Sequence, residues 1–554
     1  MEQQETKNNQ SKYVLVADVD RIKDFIFASV RLKHIVNASS ILTYVNEFKT
    51  KEIICNYGGK TVFTAGGVTE AVFDDRAEAE LCLTELEKIY PKKTISATVT
   101  AHIQEWYKED NSEDKCFAKT VKLALAEVRK KKDSGSSVSV PFFSGSPFLR
   151  ICEQTGKEFA TKWEHRISNE PFEAFGASSW NANKWHAPED MKAEIGKCKY
   201  ESLDNDLNDR LPVDVLLRHR LAHELGNKPE NFIYPLEFEE FKGAKPANYI
   251  GFMEADGNGF GDMLSELGKK DAGKDDYKEF SNLLSDVTRE VYIKAVATVL
   301  KDFKFREEGE KKLIPLRTLI LGGDDVLAIT LPQLVLPLAD EFCRRFQQIA
   351  KCKKNECSDK IKALDSFTMS AGVVIAHKGF PFLSFQRLAK SLQKSAKRRS
   401  WASRDQNDIR LYGSVDYQII TASSAENLKT LRKNDYTQLQ NGKTYSLTAK
   451  PYLVSPDYNE LKDLIDIVKK MKKDEFPRRQ IKALNPILRQ DEKTSLFDFL
   501  KWYSRLPDKN KENIKNLLKN HNMCLQPWKD DKRPGKKDEI YTPLLDAAEL
   551  YDIL

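Results

Sequence analysis

The chain lacks any apolar run that approaches the roughly 20 residues needed to cross a bilayer. Its first twelve residues are polar and do not contain the apolar stretch of a secretion signal. Cysteine is sparse, with nine residues among 554, and the cysteines show no dense pairing pattern, which suits reduced thiols. We therefore predict a cytoplasmic protein that does not associate with a membrane.

An excess of charge of one sign is also missing, because the formal net charge is only +6. A balance so close to neutral excludes a chain that binds nucleic acid through its total charge alone. Hydrophobic residues make up 40% of the chain and charged residues 31%, a composition typical of a globular protein of more than one domain. Local basic runs, at 129–132 and 394–399, matter more than the sum, although such runs are most often solvated surface.

The most informative motif is Gly-Gly-Asp-Asp at 322–325, which lies between two short apolar runs at 316–321 and 326–330. Glycine tolerates the positive φ angles of a tight turn, so the pattern predicts a β-hairpin with Asp324 and Asp325 at its tip. Adjacent carboxylates repel each other unless a cation lies between them. A hard divalent ion with oxygen ligands is the natural occupant of such a site.

A third carboxylate, Asp256, follows an apolar strand that begins at Tyr249 and leads into a glycine-rich loop. The elements predicted after it are, in order, a helix over 280–303, the hairpin, a helix over 334–349, a strand over 367–376 and a helix over 383–397. This is the β-α-β-β-α-β order of a ferredoxin-like sheet, followed by one more helix. In such a sheet Asp256 and the hairpin tip can converge on one metal site.

These segments resemble the palm domain shared by nucleotide cyclases, GGDEF diguanylate cyclases and the large polymerase/cyclase subunit of type III CRISPR effector complexes. The likeness is greatest to the CRISPR subunit, especially its Cmr-type branch. Four segments carry it, namely Ala-Asp-Gly-Asn at 255–258, the turn at 322–325, Ser-Ala-Gly-Val-Val-Ile-Ala-His at 370–377, and the helix that ends in Ala-Lys at 396–397. The combination is far more specific than any one of the four.

A second, weaker resemblance to the same palm lies near the start of the chain, where a strand is predicted over 13–20. It is followed by a strand, a glycine turn and a strand over 61–73, a helix over 77–90 and a strand over 94–103. Val68 and Thr69 replace the acids of the turn in this copy. Internal duplication argues for a shared fold. The first palm is expected either to bind nucleotide without chemistry or to serve as a purely structural half.

The resemblance implies a nucleotidyltransferase that makes cyclic oligoadenylates from ATP in antiviral defence, by a two-metal mechanism. The catalytic residues would be Asp256, Asp324 and Asp325, and these carboxylates with the carbonyl group of Gly257 would bind Mg²⁺ or Mn²⁺. The residues implied to bind nucleotide are Gly322, Gly323, Gly257, Asn258, Lys397, Gly66 and Gly67. Asn258 stands where relatives often carry an acid. Lys397 could instead be an ordinary surface lysine on a basic helix.

We predict an α+β fold of four segments. They are a degenerate first palm at 1–133, an inserted mainly helical region at 134–243, a catalytic second palm at 244–414 and a helical carboxy-terminal domain at 415–554. Within the inserted region, 152–160 resembles a zinc knuckle of the family in which Thr155 replaces the second cysteine. A structural zinc site usually needs four sulfur or nitrogen ligands, so bound zinc is not expected.

The resemblance also implies partners, which are other CRISPR effector subunits with guide RNA and target RNA, and a small helical subunit at the carboxy-terminal domain. Many relatives begin with a nuclease domain that carries a His-Asp pair, and this dipeptide is absent from the sequence. We therefore do not expect DNA cleavage by this polypeptide. Two alternatives stay open, a stand-alone cyclic nucleotide synthase of a related defence system and a non-catalytic scaffold subunit of a CRISPR RNA-guided complex.

Overall fold

The structure, a computed structural model, describes residues 12–29, 31–94, 97–106, 113–134, 152, 160–164, 173–176, 213–269, 273–404, 411–421, 427–440, 442–531, 533 and 539–554. The chain divides into two compact units. Unit one contains 1–220, 260–286 and 354–364, and unit two contains 221–259, 287–353 and 365–554. Among the described residues, no helix combines the length and the apolar character that a membrane crossing requires.

The strands are β1 (Tyr13–Asp20), β2 (Lys60–Ala65), β3 (Val68–Phe73), β4 (Thr98–Glu105), β5 (Ala160–Glu164), β6 (Glu173–Gly176), β7 (Phe232–Ile233), β8 (Tyr249–Gly257), β9 (Arg306–Glu308), β10 (Lys311–Leu313), β11 (Leu316–Gly322), β12 (Asp325–Thr330), β13 (Met369–His377), β14 (Gly413–Ile420), β15 (Thr437–Gln440), β16 (Lys443–Ser446), β17 (Tyr452–Val454), β18 (Lys529–Asp530) and β19 (Glu539–Tyr541).

The helices are Ile22–Ile26, Leu32–Thr43, the π-helix Tyr44–Lys49, Thr50–Asn56, Arg76–Thr94, Glu113–Asp133, Val213–Glu224, the 3₁₀ helices Pro229–Asn231 and Phe238–Glu240, Phe260–Lys269, Lys274–Leu300, Pro332–Lys354, Asp359–Lys362, Phe382–Ala402, Leu428–Tyr436, Glu460–Lys473, Arg478–Lys482, Leu484–Leu488, Glu492–Ser504, Asp508–Asn520 and Leu544–Leu550.

Unit one is built on a four-stranded sheet with the order β2-β3-β1-β4. Strand β1 is central and runs antiparallel to both β3 and β4, which explains why its apolar residues are almost entirely buried. The strands β2 and β3 are joined by Gly66 and Gly67, whose φ angles are +63° and +88°. Positive φ at both central residues is the requirement of a type I′ hairpin turn, and glycine meets it without strain. We call this sheet with its helices the first palm.

Unit two contains a six-stranded sheet with the order β11-β12-β8-β13-β14-β17. Its first four strands repeat the order of the first palm, with β8 in the central place and the β11–β12 hairpin on one side of it. The helix Phe382–Ala402 covers one face, where Gly372 of β13 allows close approach, since a Cβ atom there would lie 2.2 Å from the carbonyl oxygen of Ala389. We call these four strands with their helices the second palm.

The predicted α+β fold with two ferredoxin-like sheets is confirmed. The predicted boundary at residue 414 falls inside β14, which pairs in parallel with β13 and so extends the sheet of the second palm. The segment 415–554 contains the expected helices, but it also forms a four-stranded sheet of β15, β16, β19 and β18 that the sequence did not indicate. The described part of the inserted region contains the helix Val213–Glu224 and also the short strands β5, β6 and β7. Most of this region, including 153–159, lies outside the described residues, so its mainly helical character and its degenerate knuckle stay predictions.

Candidate functional site

Sheet register brings the end of β8 and the tip of the β11–β12 hairpin together. Strand β12 runs antiparallel to β8 with Val326 opposite Ala255, so the residue before Val326 and the residue after Ala255 are neighbours across the two strands. These residues are Asp325 and Asp256. The side chains of Asp256 and Asp324 are linked by a hydrogen bond. The structure therefore assembles carboxylates that are far apart in the sequence.

The hairpin turn consists of Gly323 and Asp324, because Gly322 and Asp325 still pair with each other. Gly323 has a φ of +58°, and Asp324 is not among the residues with positive φ. A glycine with positive φ at the first central position is the signature of a type II′ turn. A Cβ atom at Gly323 would meet no other atom within 4 Å, so the turn is open on that side.

Asp324 is the carboxylate whose protonation the site changes most. Burial, together with the charges of Asp256 and Asp325, raises the pKa of Asp324 to about 7. Its carboxyl group can then hold a proton near neutral pH and donate it to Asp256 in a hydrogen bond. In the absence of a cation, this shared proton relieves the repulsion between the two acids.

Asp256 is surrounded by donors from the helix Phe382–Ala402. Lys397 Nζ lies 2.9 Å from Asp256 Oδ2, Gln393 Nε2 donates to the same oxygen at 3.0 Å, and Lys390 Nζ lies at 3.6 Å. Burial alone would raise the pKa of Asp256, but the charge and hydrogen bond of Lys397 and the charge of Lys390 lower it. Asp256 is thus held as a carboxylate.

These three donors share one face of their helix, as residues three, four and seven positions apart do. Lys390 also lies 3.5 Å from Glu254, the residue two positions before Asp256 on β8. Because alternate residues of a strand point to the same side, both acids face the helix. The close approach at Gly372 is therefore what brings the ammonium and amide groups within reach of the strand end.

Asn258 is enclosed rather than open to a ligand, with 0% of its surface exposed. Its amide nitrogen donates to Thr368 Oγ1 at 3.0 Å, and its side-chain oxygen accepts from Ser370 Oγ at 2.8 Å. Its backbone N–H donates to the carbonyl group of Thr368 at 2.9 Å. These contacts fix the chain where it leaves β8, directly after Asp256 and Gly257.

The donor set suits a hard divalent cation. Within the described part of the chain, no three side chains of His, Cys, Asp or Glu form a ready-made metal cage. Mg²⁺ does not require one, since it is usually bound through one or two carboxylates, with waters and substrate phosphates as the remaining ligands. The pair Asp256 and Asp324 offers that number of oxygen ligands, and a cation could replace the proton they now share.

Residues 249–407 match the family model of the Cas10/Cmr2 second palm domain. This span begins at β8 and includes the hairpin, Asp256 and the helix that carries Lys397. Comparison with curated protein sequences gives no match.

Among solved structures, the chain is similar to a Csm1-Csm4 cassette in complex with cA4, at 13% identity, with 93% of this chain and 70% of that chain covered and a TM-score of 0.51. It is also similar to the cassette in complex with pppApA, at 12% identity, 93% and 69% coverage and a TM-score of 0.52. Csm1 in T. onnurineus matches at 13% identity, 98% and 69% coverage and a TM-score of 0.50. At such identities the likeness shows a shared fold.

The sequence analysis missed Gln393 and Lys390, which contact Asp256 from the same helix as Lys397. Their spacing of four and seven residues before Lys397 was a usable signal, because it places them on one helix face. Gly66 and Gly67 lie in the turn of the first palm, in unit one, whereas the acids of the second palm lie in unit two. The roles assigned to these residues are taken up as proposals below.

Proposed function

We propose that this chain is the large polymerase/cyclase subunit of a type III CRISPR effector complex and that it makes cyclic oligoadenylates from ATP. The observation that carries the proposal is the hydrogen-bonded pair Asp256 and Asp324, at the end of the central strand, with Lys397 against it. The family match over 249–407 supports it. The similar cassette structures contain cA4 and pppApA, which are adenylate products of the kind proposed here.

The carboxylates of Asp256, Asp324 and Asp325, with the carbonyl group of Gly257, would bind Mg²⁺ or Mn²⁺. Bound there, the ions would supply Lewis acidity, lowering the pKa of an attacking ribose hydroxyl and stabilising the charge of the departing pyrophosphate. Asp256 is prepared for this role because Lys397 and Gln393 keep it ionised and oriented. Asp324 becomes available when it gives up its proton.

Lys397 has a second role in this proposal. Once a cation neutralises Asp256, the ammonium group of Lys397 is free to pair with the triphosphate, a task that suits a point charge on a flexible stem. Gln393 cannot carry charge and stays as the group that orients Asp256. The open space at Gly323 would let the phosphates approach the backbone of the turn, and Gly322, which also lacks a side chain, is proposed to contribute to the same contact.

For the remaining predicted residues, we propose that Asn258 positions the strand end instead of contacting nucleotide, because its amide is fully enclosed. Gly66 and Gly67 are proposed to contact nucleotide in the first palm. The proposed partners are effector subunits with guide RNA and target RNA, and a small helical subunit at the carboxy-terminal domain. The Cmr-type branch and the cytoplasmic location stay predictions from the sequence.

The test is a product assay on the assembled complex with target RNA, Mn²⁺ and labelled ATP, in which products are separated by chromatography. Wild type should release pyrophosphate and form cyclic oligoadenylates, while Asp324→Ala/Asp325→Ala should form none and remain folded. Asp302→Ala is the matched control, because Asp302 is an exposed aspartate of the same unit. It should retain full activity.

Other outcomes would redirect the proposal. If the wild-type complex released no pyrophosphate, a scaffold subunit would become the better description. Efficient synthesis by the isolated chain, without RNA or other subunits, would favour the stand-alone cyclic nucleotide synthase. Offering each of the four labelled nucleotides separately would show whether adenosine is the base that the site selects.

A further inference from the structure

The first palm contains a carboxylate and lysine constellation of its own. Lys132, near the end of the helix Glu113–Asp133, lies with its Nζ 2.8 Å from Asp18 Oδ2 and 3.0 Å from Asp20 Oδ1. The same ammonium donates to the carbonyl oxygen of Val19 at 3.3 Å. Three oxygens at the end of β1 thus surround one cationic nitrogen, although the run 129–132 reads in the sequence as solvated surface.

Strand register makes Asp18 the counterpart of Asp256. In the first palm Asp18 is opposite Val68, the first residue after the glycine turn. In the second palm the residue opposite the position of Asp256 is Asp325, which is likewise the first residue after the turn. Lys132 therefore contacts the acid that corresponds to the one contacted by Lys397.

The neighbouring position confirms the register. Thr98 and Thr100 of β4 donate their hydroxyl hydrogen bonds to Asp20 at 2.9 to 3.0 Å. In the second palm, the hydroxyl groups of Thr368, the residue before β13, and of Ser370 in β13 contact Asn258, the first as an acceptor from its amide nitrogen and the second as a donor to its amide oxygen. Asp20 is thus an ionisable residue at a position where the second palm has a neutral amide.

The two palms therefore distribute their charges differently. The second palm places Asp324 and Asp325 at its hairpin, beside Asp256. The first palm has Gly67 and Val68 at the corresponding hairpin positions, so the sequence-based match of Val68 and Thr69 to these acids is wrong by one residue. The two acids that Lys132 contacts, Asp18 and Asp20, are both on β1. A lysine ammonium that contacts both acids can neutralise them without a metal, because each carboxylate gains a charge-assisted hydrogen bond.

We propose that Lys132 is a built-in cation, which occupies in the first palm the place that a divalent metal ion would take between carboxylates. The first palm then needs no metal to keep Asp18 and Asp20 together, and it binds none while Lys132 is present. The ammonium is well seated, since only 26% of the Lys132 side chain and 10% of the Asp20 side chain are exposed. The proposal concerns charge and ion binding, so it does not depend on the activity proposed above.

The experiment is to remove the ammonium and look for a new metal site. Lys132→Met keeps the stem of the side chain, and it is made in an Asp256→Asn/Asp324→Asn background that removes the proposed site of the second palm. Free Mn²⁺ is measured by electron paramagnetic resonance during a titration, and the unfolding midpoint is measured with and without Mn²⁺. We expect about one additional Mn²⁺ per chain, bound by two carboxylates and water.

Two further variants make the result specific. Adding Asp18→Asn to Lys132→Met should weaken binding of the new ion by about tenfold or more, which corresponds to about 1.4 kcal/mol. Lys131→Met is the matched control, because Lys131 is the neighbouring lysine of the same basic run and its Nζ donates to the carbonyl oxygen of Ala101 at 2.8 Å. It should gain no Mn²⁺.

A folded Lys132→Met variant that gains no Mn²⁺ would overturn the proposal and leave Lys132 as an ordinary ion-pair partner. If Lys132→Met fails to fold, Lys132→Gln replaces it, since the amide keeps a hydrogen bond but no charge. Restoration of folding by millimolar Mn²⁺ would then support the proposal. Failure of Mn²⁺ to restore either variant would overturn it.

Discussion

The first and second palms have the same strand order, and both have a β-bulge in the first strand of the hairpin. In each hairpin the first strand has a bulge, between Thr61 and Phe63 in β2 and between Thr318 and Ile320 in β11, at the same distance from the turn. A bulge is a specific local feature, and its repetition at the same position indicates that the two sheets have the same fold. What differs is the chemistry at the end of the central strand.

In our proposals, that chemistry depends on a divalent metal ion in the second palm and on a lysine in the first. The second palm has carboxylates on two strands, Asp256 and Asp324, which share a proton in the absence of a cation. In the first palm, the two acids at the end of the central strand, Asp18 and Asp20, are on the same strand, and the ammonium group of Lys132 contacts both. The two palms thus share one backbone fold but differ in charge at the end of the central strand. In our proposals, the acids of the second palm need a divalent ion, whereas Lys132 neutralises those of the first.

The largest expected effect comes from removing the counterpart acids one at a time. Loss of a residue that only hydrogen-bonds to a metal ligand typically lowers activity by about 10 to 100-fold. Asp256→Asn should lower cyclic oligoadenylate formation by more than this, because Asp256 is proposed to bind the metal itself. Asp18→Asn should leave the metal requirement of the reaction unchanged, because no metal is proposed in the first palm. The measurement is product formation by the assembled complex against Mn²⁺ concentration, and equal losses in both variants would contradict the division of roles.

The next effect concerns the packing that brings Lys397 to Asp256. Gly372→Ala would place a Cβ atom 2.2 Å from the carbonyl oxygen of Ala389, so the backbone of the helix must move. We expect a loss of about 3 kcal/mol in the free energy of unfolding, measured with urea, and reduced product formation. Gly261→Ala is the control, since a Cβ atom there meets nothing within 4 Å. A well-tolerated Gly372→Ala would show that this helix is not fixed at the strand end.

Much of this comparison was accessible from the sequence, because local patterns determine it. The strand Tyr13–Asp20 and the hairpin strands on either side of 322–325 follow from apolar runs interrupted by glycine, and the predicted bounds agree with the structure to within a few residues. The convergence of Asp256 with the turn followed from the order of the elements. The two acids meet because β12 pairs directly with β8, as the ferredoxin-like strand order requires.

Other features could not be predicted because they depend on contacts between distant residues. Lys132 is part of a basic run that resembles ordinary surface, and only the packing of its helix against β1 brings it to Asp18. The sheet of β15, β16, β18 and β19 pairs short strands from either side of several helices, and strands of two to four residues carry too little periodicity to detect.

A pH-dependent effect would sharpen the comparison in a third way. Glu70 of β3 and Leu327 of β12 occupy corresponding positions in the two palms. In the second palm the acid at this level of the sheet is instead Glu254 of β8, which is paired with Leu327. Burial raises the pKa of Glu70 from its ordinary 4.5 to about 7, and Tyr277 is the titratable group whose own pKa responds to it. The folded state thus holds this proton more tightly than the unfolded state does.

Stability should therefore fall as the pH rises from about 4.5 towards 7, because the unfolded chain releases the proton first. Glu70→Gln removes this dependence, so we expect it to be more stable than wild type by about 2 kcal/mol at pH 8 and no more stable at pH 4.5. Urea denaturation at the two pH values checks this. Glu87→Gln, an exposed control, should show no such difference, and an unchanged pH profile in Glu70→Gln would contradict the prediction.

The smallest expected effect is the loss of stability caused by alanine substitutions in the two hairpin turns. It concerns why the turn of the first palm has no acid. Gly66→Ala and Gly323→Ala should each cost about 1 to 2 kcal/mol, since both glycines have positive φ in open space. Gly67→Ala should cost about 1 kcal/mol more than Gly66→Ala, because its Cβ atom would lie 2.2 Å from Ile22 Cδ1 and force that side chain from its rotamer. Thermal and urea unfolding of the three variants would measure the ranking. Gly67 corresponds to Asp324, so an aspartate at position 67 would have the same close contact with Ile22 as an alanine. This contact would explain why the turn of the first palm has no acid at that position. Equal losses of stability in Gly66→Ala and Gly67→Ala would contradict this explanation.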